Sequence, residues 1–189
     1  MKERTATVIG ATGLTGGHLA TLLAEDTYFM TVRILVRKAP ESVTPGIKAI
    51  VVDFSNQDDL RSAIEGSDAV FCAVGTTRKK VNGDMVAYRK VDFDIPVDSA
   101  RHCLETGCSS FLMVSSVGAS SASRNYYLRF KGEAEEAIAS MGIPSVSVFR
   151  PSMLLGERKE FRLGEEAGRL MSVPLSFLFP SKYKPIRAL

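Results

Sequence analysis

Cysteine is sparse and unpatterned in this chain. Cys72, Cys103 and Cys108 are odd in number and show no C-x-x-C spacing. That excludes a disulfide framework and a tetrahedral zinc site, and leads to the expectation of reduced thiols in a cytoplasmic compartment. Only two histidines are present, His18 and His102, in separate helical patterns without ligand spacing, so no metal is expected. No basic run exceeds Arg78-Lys79-Lys80, and 24 Lys and Arg against 21 Asp and Glu leave a formal charge of +3 spread along the chain. A nucleic-acid footprint is therefore missing, and the short basic run reads as a solvated loop. Long apolar runs are missing too. Met1-Lys2-Glu3-Arg4 leads into a short apolar stretch ending at Gly10, too short for a signal segment or a membrane span, so neither secretion nor membrane insertion is expected.

What is present is enough for one core: 189 residues, 45% of them hydrophobic, read as a single domain over residues 1–189. Apolar runs of strand length occur at Thr5 to Ile9, Val32 to Val36, Ala49 to Val52, Ala69 to Val74, Phe111 to Val114 and Val146 to Phe149. Apolar on successive residues, they are expected to be buried on both faces, as parallel strands covered by helices are. Helical spacing separates them at Leu14 to Ala24, Asp58 to Ile64, Phe93 to Glu105 and Gly132 to Ser140. The alternation predicts an α/β, Rossmann-type doubly wound parallel sheet with helices on both faces. After Pro151 the pattern weakens, apart from helical spacing at Gly164 to Met171. Residues 151–189 are read as an irregular, small substrate-side region in which Leu175, Phe177, Leu178 and Phe179 supply core, interface or pocket packing.

Between the first strand and the first helix lies Gly10-Ala11-Thr12-Gly13-Leu14-Thr15-Gly16. This is where a dinucleotide loop belongs, because N–H groups at a helix N-terminus face a pyrophosphate. Gly10 is expected to make the tight turn, Gly13 to let the backbone approach phosphate, and Gly16 to let the helix pack close to the strand. The first spacing is one residue longer than in G-x-G-x-x-G, and the alternative is a plain strand-to-helix turn. No Gly-Lys-Ser/Thr closes the loop, which excludes a Walker-A site.

Cofactor choice is read at the end of the second strand, where an acidic side chain would accept from the adenine-ribose 2'-OH. Val36-Arg37-Lys38 stands there instead. Arg37 and Lys38 suit a 2'-phosphate, which favours NADP(H) over NAD(H), the alternative being a solvated basic turn. Asp53 and Phe54 follow the third strand and are placed beside the adenine, the carboxylate accepting from its amino group. Ala73, Val74, Gly75 and Thr76 form a small-residue loop after the fourth, at the sheet edge where ligands of open α/β sheets bind.

Tyr127 and Lys131 stand at i and i+4, one helical turn apart on the same face. A phenol with a pKa of about 10 needs help to exchange a proton at neutral pH. Lys131 can supply that help electrostatically while holding the nicotinamide ribose. Ser115 and Ser116 end the fifth strand, and alternation sends them to opposite faces, so one serves. Ser116 is preferred because it leads into Val117-Gly118-Ala119, with Ser115 left open. The alternative is a structural one: serines ending a strand and an exposed Tyr/Lys pair.

Taken together these motifs resemble the short-chain dehydrogenase/reductase superfamily, in particular its atypical branch related to the Tat-interacting-protein oxidoreductase. The resemblance spans nearly the whole chain. It rests on Gly10 to Gly16, Val52-Asp53-Phe54, Gly75-Thr76-Thr77-Arg78, Val91-Asp92, Ser115 to Ala119, Tyr127 to Lys131 with Gly132-Glu133, and Val148-Phe149-Arg150-Pro151. It implies cofactor positions at Gly10, Gly13, Gly16, Arg37, Asp53 and Lys131, and a Ser-Tyr-Lys set at Ser116, Tyr127 and Lys131. It also implies that Arg150 and Pro151 border the nicotinamide with Ser152 and Met153 lining it. A further helix is implied after Lys182-Tyr183-Lys184-Pro185-Ile186, so a truncated chain is expected. The expected activity is an NADP(H)-dependent carbonyl reduction or alcohol oxidation on an unidentified small molecule. The alternative is an NADP(H)-sensing regulator or scaffold, with a protein partner or a homo-oligomer.

Overall fold

The computed structural model describes residues 3–152 together with Leu154–Leu155 and Ile186–Arg187. Met153, the helical spacing at Gly164 to Met171 and the apolar cluster around Phe177 lie outside the described residues. Six strands, β1 (Thr5–Ile9), β2 (Thr31–Val36), β3 (Ile47–Val51), β4 (Ala69–Cys72), β5 (Ser110–Val114) and β6 (Ser145–Phe149), form one sheet. Its order is β3-β2-β1-β4-β5-β6 and every pair is parallel. The order reverses between β1 and β4, the point at which a parallel sheet opens a crevice beyond its carboxyl ends. Strands β7 (Leu154–Leu155) and β8 (Ile186–Arg187) pair in a separate two-stranded sheet.

Helices α1 (Leu14–Glu25), α2 (Gln57–Ile64), α3 (Met85–Arg89), α4 (Ile95–Glu105) and α5 (Tyr126–Ala139) connect the strands. Neighbouring residues of β1 show why both faces need covering. Val8 joins a cluster with Ala20 and Leu23 of α1, while Ile9 joins a larger one with Leu60 of α2, Ala100 and Cys103 of α4, and Ala134 and Ile138 of α5. A strand apolar on both faces can be satisfied only by two helical layers.

The expectation of burial on both faces fails at the sheet's margins. Val51 of β3 and Phe149 of β6 are 54% and 56% exposed, because edge strands have a neighbour on one side only. The expected helix at Gly132 to Ser140 begins earlier, at Tyr126, where the Asn125 side chain accepts from the N–H groups of Tyr127 and Leu128 at 2.9 and 3.4 Å. That cap satisfies two of the four donors a helix start leaves bare, and it brings Tyr127 and Lys131 onto the helix. Between α3 and α4 the chain winds through a π-helical turn, Lys90–Asp94, in which the Ile95 N–H reaches the Lys90 carbonyl. The sequence pattern does not mark this turn.

Candidate functional site

The strand registers line up the residues singled out above along one edge of the sheet. Ile9 pairs with Leu35 and with Cys72, Cys72 with Met113, and Val114 with Phe149. The segments that follow each strand therefore emerge side by side in the order Asp53, Arg37, Gly10, Ala73, Ser115, Arg150. The Ala73 N–H bonds the Ile9 carbonyl at 2.8 Å, the Ser115 N–H the Phe149 carbonyl at 2.7 Å, and the Val117 N–H the Pro151 carbonyl at 2.9 Å.

Three glycines of the loop answer to different constraints. Gly10 has φ +90, and a Cβ on it would lie 2.7 Å from the Ala73 carbonyl carbon, so both its conformation and the adjoining strand end demand glycine. A Cβ on Gly16 would lie 2.3 Å from the Gly10 carbonyl oxygen. The close approach is thus to the turn itself rather than to the body of the strand. On Gly13 a Cβ would meet only the Gly10 oxygen, at 3.3 Å, and the residue is exposed. Gly13 is the N-cap of α1 without a side-chain cap, and the first turn carries no acidic residue. The helix start, with Ala11, Thr12, Leu14 and Thr15 around it, therefore presents bare N–H groups, and it fits a pyrophosphate.

Arg37 and Lys38 are exposed and form no ion pair among the described residues. Asp53 is exposed as well, and its Oδ1 accepts from the Ser55 amide at 2.8 Å and hydroxyl at 2.5 Å. These bonds hold its carboxyl below the usual carboxylate range. Phe54 is partly buried and packs against the core.

At the other side of the crevice, α5 carries Tyr127, half-buried, and Lys131, 3% exposed. The Lys131 ammonium donates to the Val74 carbonyl at 3.0 Å and the Val114 carbonyl at 3.5 Å, which places it between the ends of β4 and β5. It also pairs with Asp92 Oδ1 at 3.3 Å, and Asp92 is fully buried. The other Asp92 oxygen accepts from the Thr76 N–H at 2.9 Å, and the Thr76 carbonyl accepts from the Tyr88 hydroxyl at 3.2 Å. The Ala73 to Thr76 loop is thus tied down by Lys131, Asp92 and Tyr88 together.

The two serines separate as alternation requires. Ser115 follows Phe111 and Met113 on the face packed by α5; its Oγ is buried and finds no hydrogen-bond partner. Ser116 is half-buried, with its hydroxyl donating to the Val117 carbonyl at 3.3 Å. The Arg150 side chain, on the segment expected to border the nicotinamide, is held by α5. Its guanidinium is engaged by both carboxylate oxygens of Glu135 on α5.

Asp92, Tyr88 and Gly132 were not singled out individually by the sequence reading. Val91-Asp92 and Gly132-Glu133 are visible as motifs, but the burial of the aspartate is not. A Cβ on Gly132 would fall 2.3 Å from the Ser120 carbonyl carbon, so this glycine lets the loop after Ser116 lie directly on α5.

A family model described as NAD(P)H-binding matches residues 10–172. Protein HTATIP2 of Rattus norvegicus is 34% identical over 172 residues, covering 89% of this chain and 70% of the relative. The mitochondrial protein fmp52 of Aspergillus clavatus is 33% identical over 171 residues, covering 87% of this chain and 73% of the relative. Among solved structures, the enzyme WbmH of Bordetella bronchiseptica, in complex with NAD+, superposes with a TM-score of 0.72 at 16% identity, over 91% of this chain and 64% of that one. At that identity the likeness is one of fold. The cytoplasmic expectation is overturned by the fungal relatives, which are named mitochondrial. Reduced cysteines and a near-neutral composition do not distinguish one reducing compartment from another.

Proposed function

Because the chain belongs to the NAD(P)H-binding family, we propose that it is an NADP(H)-dependent oxidoreductase that reduces a carbonyl or oxidises an alcohol on a small molecule. The observation that carries this reading is the Lys131 ammonium, held between the carboxyl ends of β4 and β5 and one helical turn from Tyr127, across the crevice from an uncapped glycine-rich helix start. Gly10 to Gly16 hold the pyrophosphate, Arg37 and Lys38 take the 2'-phosphate, and Asp53 meets the adenine. When bound, the nicotinamide supplies or accepts the hydride.

In the reducing direction the Tyr127 hydroxyl donates a proton to the substrate oxygen as hydride reaches the carbonyl carbon, and in oxidation the phenolate takes that proton back. Lys131 supplies positive potential beside the phenol and orients the adjoining ribose. Ser116, the more accessible of the two hydroxyls, donates a hydrogen bond to the substrate oxygen as charge develops on it. Ser116→Ala is accordingly expected to lower turnover by about 10²–10³, the usual cost of one such donor. Ser115→Ala removes a buried hydroxyl with no partner. It should keep turnover and melt at or above the wild-type temperature, since an unsatisfied polar group costs about 1–3 kcal/mol when buried. Turnover and thermal melting of the two variants check both statements.

Titration with NADPH and with NADH, followed by nicotinamide fluorescence, tests the reading directly. NADPH is expected to bind the more tightly. Arg37→Ala should weaken NADPH by about tenfold or more, the worth of a charge-assisted hydrogen bond, and leave NADH nearly unchanged. Gly13→Val should abolish binding of both, and it suits the purpose because a side chain there meets little of the protein itself. A wild-type protein that binds neither nucleotide overturns the proposal.

A further inference from the structure

The feature that the proposed chemistry leaves unused is the charge opposite Lys131. Its ammonium has two carbonyl acceptors and one carboxylate around it, all from the protein: Val74 at 3.0 Å, Val114 at 3.5 Å and Asp92 at 3.3 Å. Asp92 sits on the π-helical turn, is fully buried, and is itself pinned by the Thr76 N–H. A buried lysine beside a buried carboxylate does not present a full positive charge to its surroundings, because the two fields oppose one another where the dielectric is low. The elements packed here carry further charged or titratable groups: Tyr88 and Arg89 on α3, Lys90 and Asp94 on the π-helical turn, Tyr126, Arg129, Glu133, Glu135 and Glu136 on α5, Asp98, Arg101, His102, Cys103 and Glu105 on α4, and Cys72 on β4. Arg89 pairs with Asp94, Arg101 with Asp98, Arg129 with Glu133 and Arg150 with Glu135, so these charges are largely met within their own neighbourhood. Burial pushes the Cys72 thiol up to about 11, so below that pH it adds no charge of its own beside Lys131 and Asp92.

We propose that Asp92 is a positioning residue: it fixes the Lys131 ammonium against the ends of β4 and β5 and sets, through its opposing charge, the pH at which Tyr127 gives up its proton. The pair, and not the lysine alone, then determines how acidic the phenol is. This rests on Tyr127 being the proton-exchanging group, and the π-helical turn acquires a role, since it delivers the Asp92 carboxylate under the Ala73 to Thr76 loop.

The test needs no substrate. Ionisation of Tyr127 is followed by the ultraviolet absorbance of tyrosinate, as the difference between each protein and its own Tyr127→Phe counterpart. Asp92→Asn keeps the shape and the acceptor for the Thr76 N–H while deleting the charge. It is expected to lower the phenol midpoint by about one pH unit, a tenfold rise in phenolate at fixed pH. A midpoint unchanged in a variant that melts like the wild type overturns the proposal and leaves Asp92 a packing residue. Should Asp92→Asn fail to fold, Lys131→Met is compared with the Asp92→Asn/Lys131→Met double variant, which buries no unpaired charge. The single variant, which keeps the carboxylate, is expected to titrate about one unit above the double, and coincident midpoints overturn the proposal. NADPH titration of the wild-type protein runs beside it. Failure there counts against the proposed function and leaves the comparison of phenol midpoints standing.

Discussion

Tyr127→Phe is expected to lower turnover by about 10²–10⁴, the usual contribution of a positioned proton donor, while NADPH binds as tightly as before. The substitution deletes one hydroxyl from a half-buried ring on α5, and no hydrogen bond of that hydroxyl supports the fold among the described residues. The ring contacts of the α5 start belong to other residues: Tyr126 meets the Tyr88 ring edge-on and Phe130 is tilted against the same ring. Those contacts survive, so a loss of rate without a loss of stability is the signature of proton transfer. Steady-state kinetics on a carbonyl or alcohol found by screening, with the NADPH titration and a melting curve beside it, separates the possibilities. Full activity in the phenylalanine variant removes Tyr127 from the mechanism. A wild-type protein that binds NADPH and turns over none of a broad panel of carbonyls and alcohols favours a nucleotide-sensing regulator instead.

The second large effect is expected from Gly16→Ala. Its new Cβ falls 2.3 Å from the Gly10 oxygen and 2.7 Å from the Gly10 carbonyl carbon, distances at which backbone has to move. Neither atom belongs to a flexible side chain, so relief requires shifting α1 against β1 or opening the turn. Overpacking of this kind costs about 1–3 kcal/mol and more when backbone resists. For a chain of this length that is about 2–12 °C in melting temperature, and nucleotide binding is expected to fall with it because the N–H groups of the helix start are displaced. Gly13→Ala is the control: its Cβ at 3.3 Å from one oxygen should cost little in melting temperature. Equal melting of the two alanine variants would show that the loop is softer than its geometry implies.

Much of the sheet was legible because its signals are local. Each strand is an apolar run, each run ends at a turn, and their alternation with helical spacing admits few topologies. The glycine loop could be read for the same reason, since strand, glycine spacing and helix are contiguous. Alternation also separated Ser115 from Ser116 before any contact was known. Tyr127 and Lys131 were legible as a pair on one helix face, although the start of α5 at Tyr126 was not. Its cap is a single Asn125 side chain in a serine-rich loop, and the apolar positions Phe130, Ala134 and Ile138 dominate the pattern further along.

Contacts that need the chain to return on itself were not legible. The Arg150 guanidinium is captured by Glu135, fifteen residues earlier on a packed helix. Phe54, expected beside an adenine, also packs against the core. Gly132 gave no sign that Ser120 would press against it. Asp92 appeared only as part of a short motif, while its burial and its pairing with Lys131 arise from a π-helical turn that no periodicity announces.

The sequence by itself determined the doubly wound parallel sheet, the glycine-rich strand-to-helix loop and the identity of the groups at the sheet edge, because hydrophobic periodicity and glycine conformation act over neighbouring residues. Only the tertiary structure decided which charges meet: Lys131 with Asp92, Arg150 with Glu135, and Arg37 with no partner among the described residues. Those pairings depend on the distance between side chains far apart in sequence and on the low dielectric that burial creates, and both exist only once the sheet and its helices have closed around them.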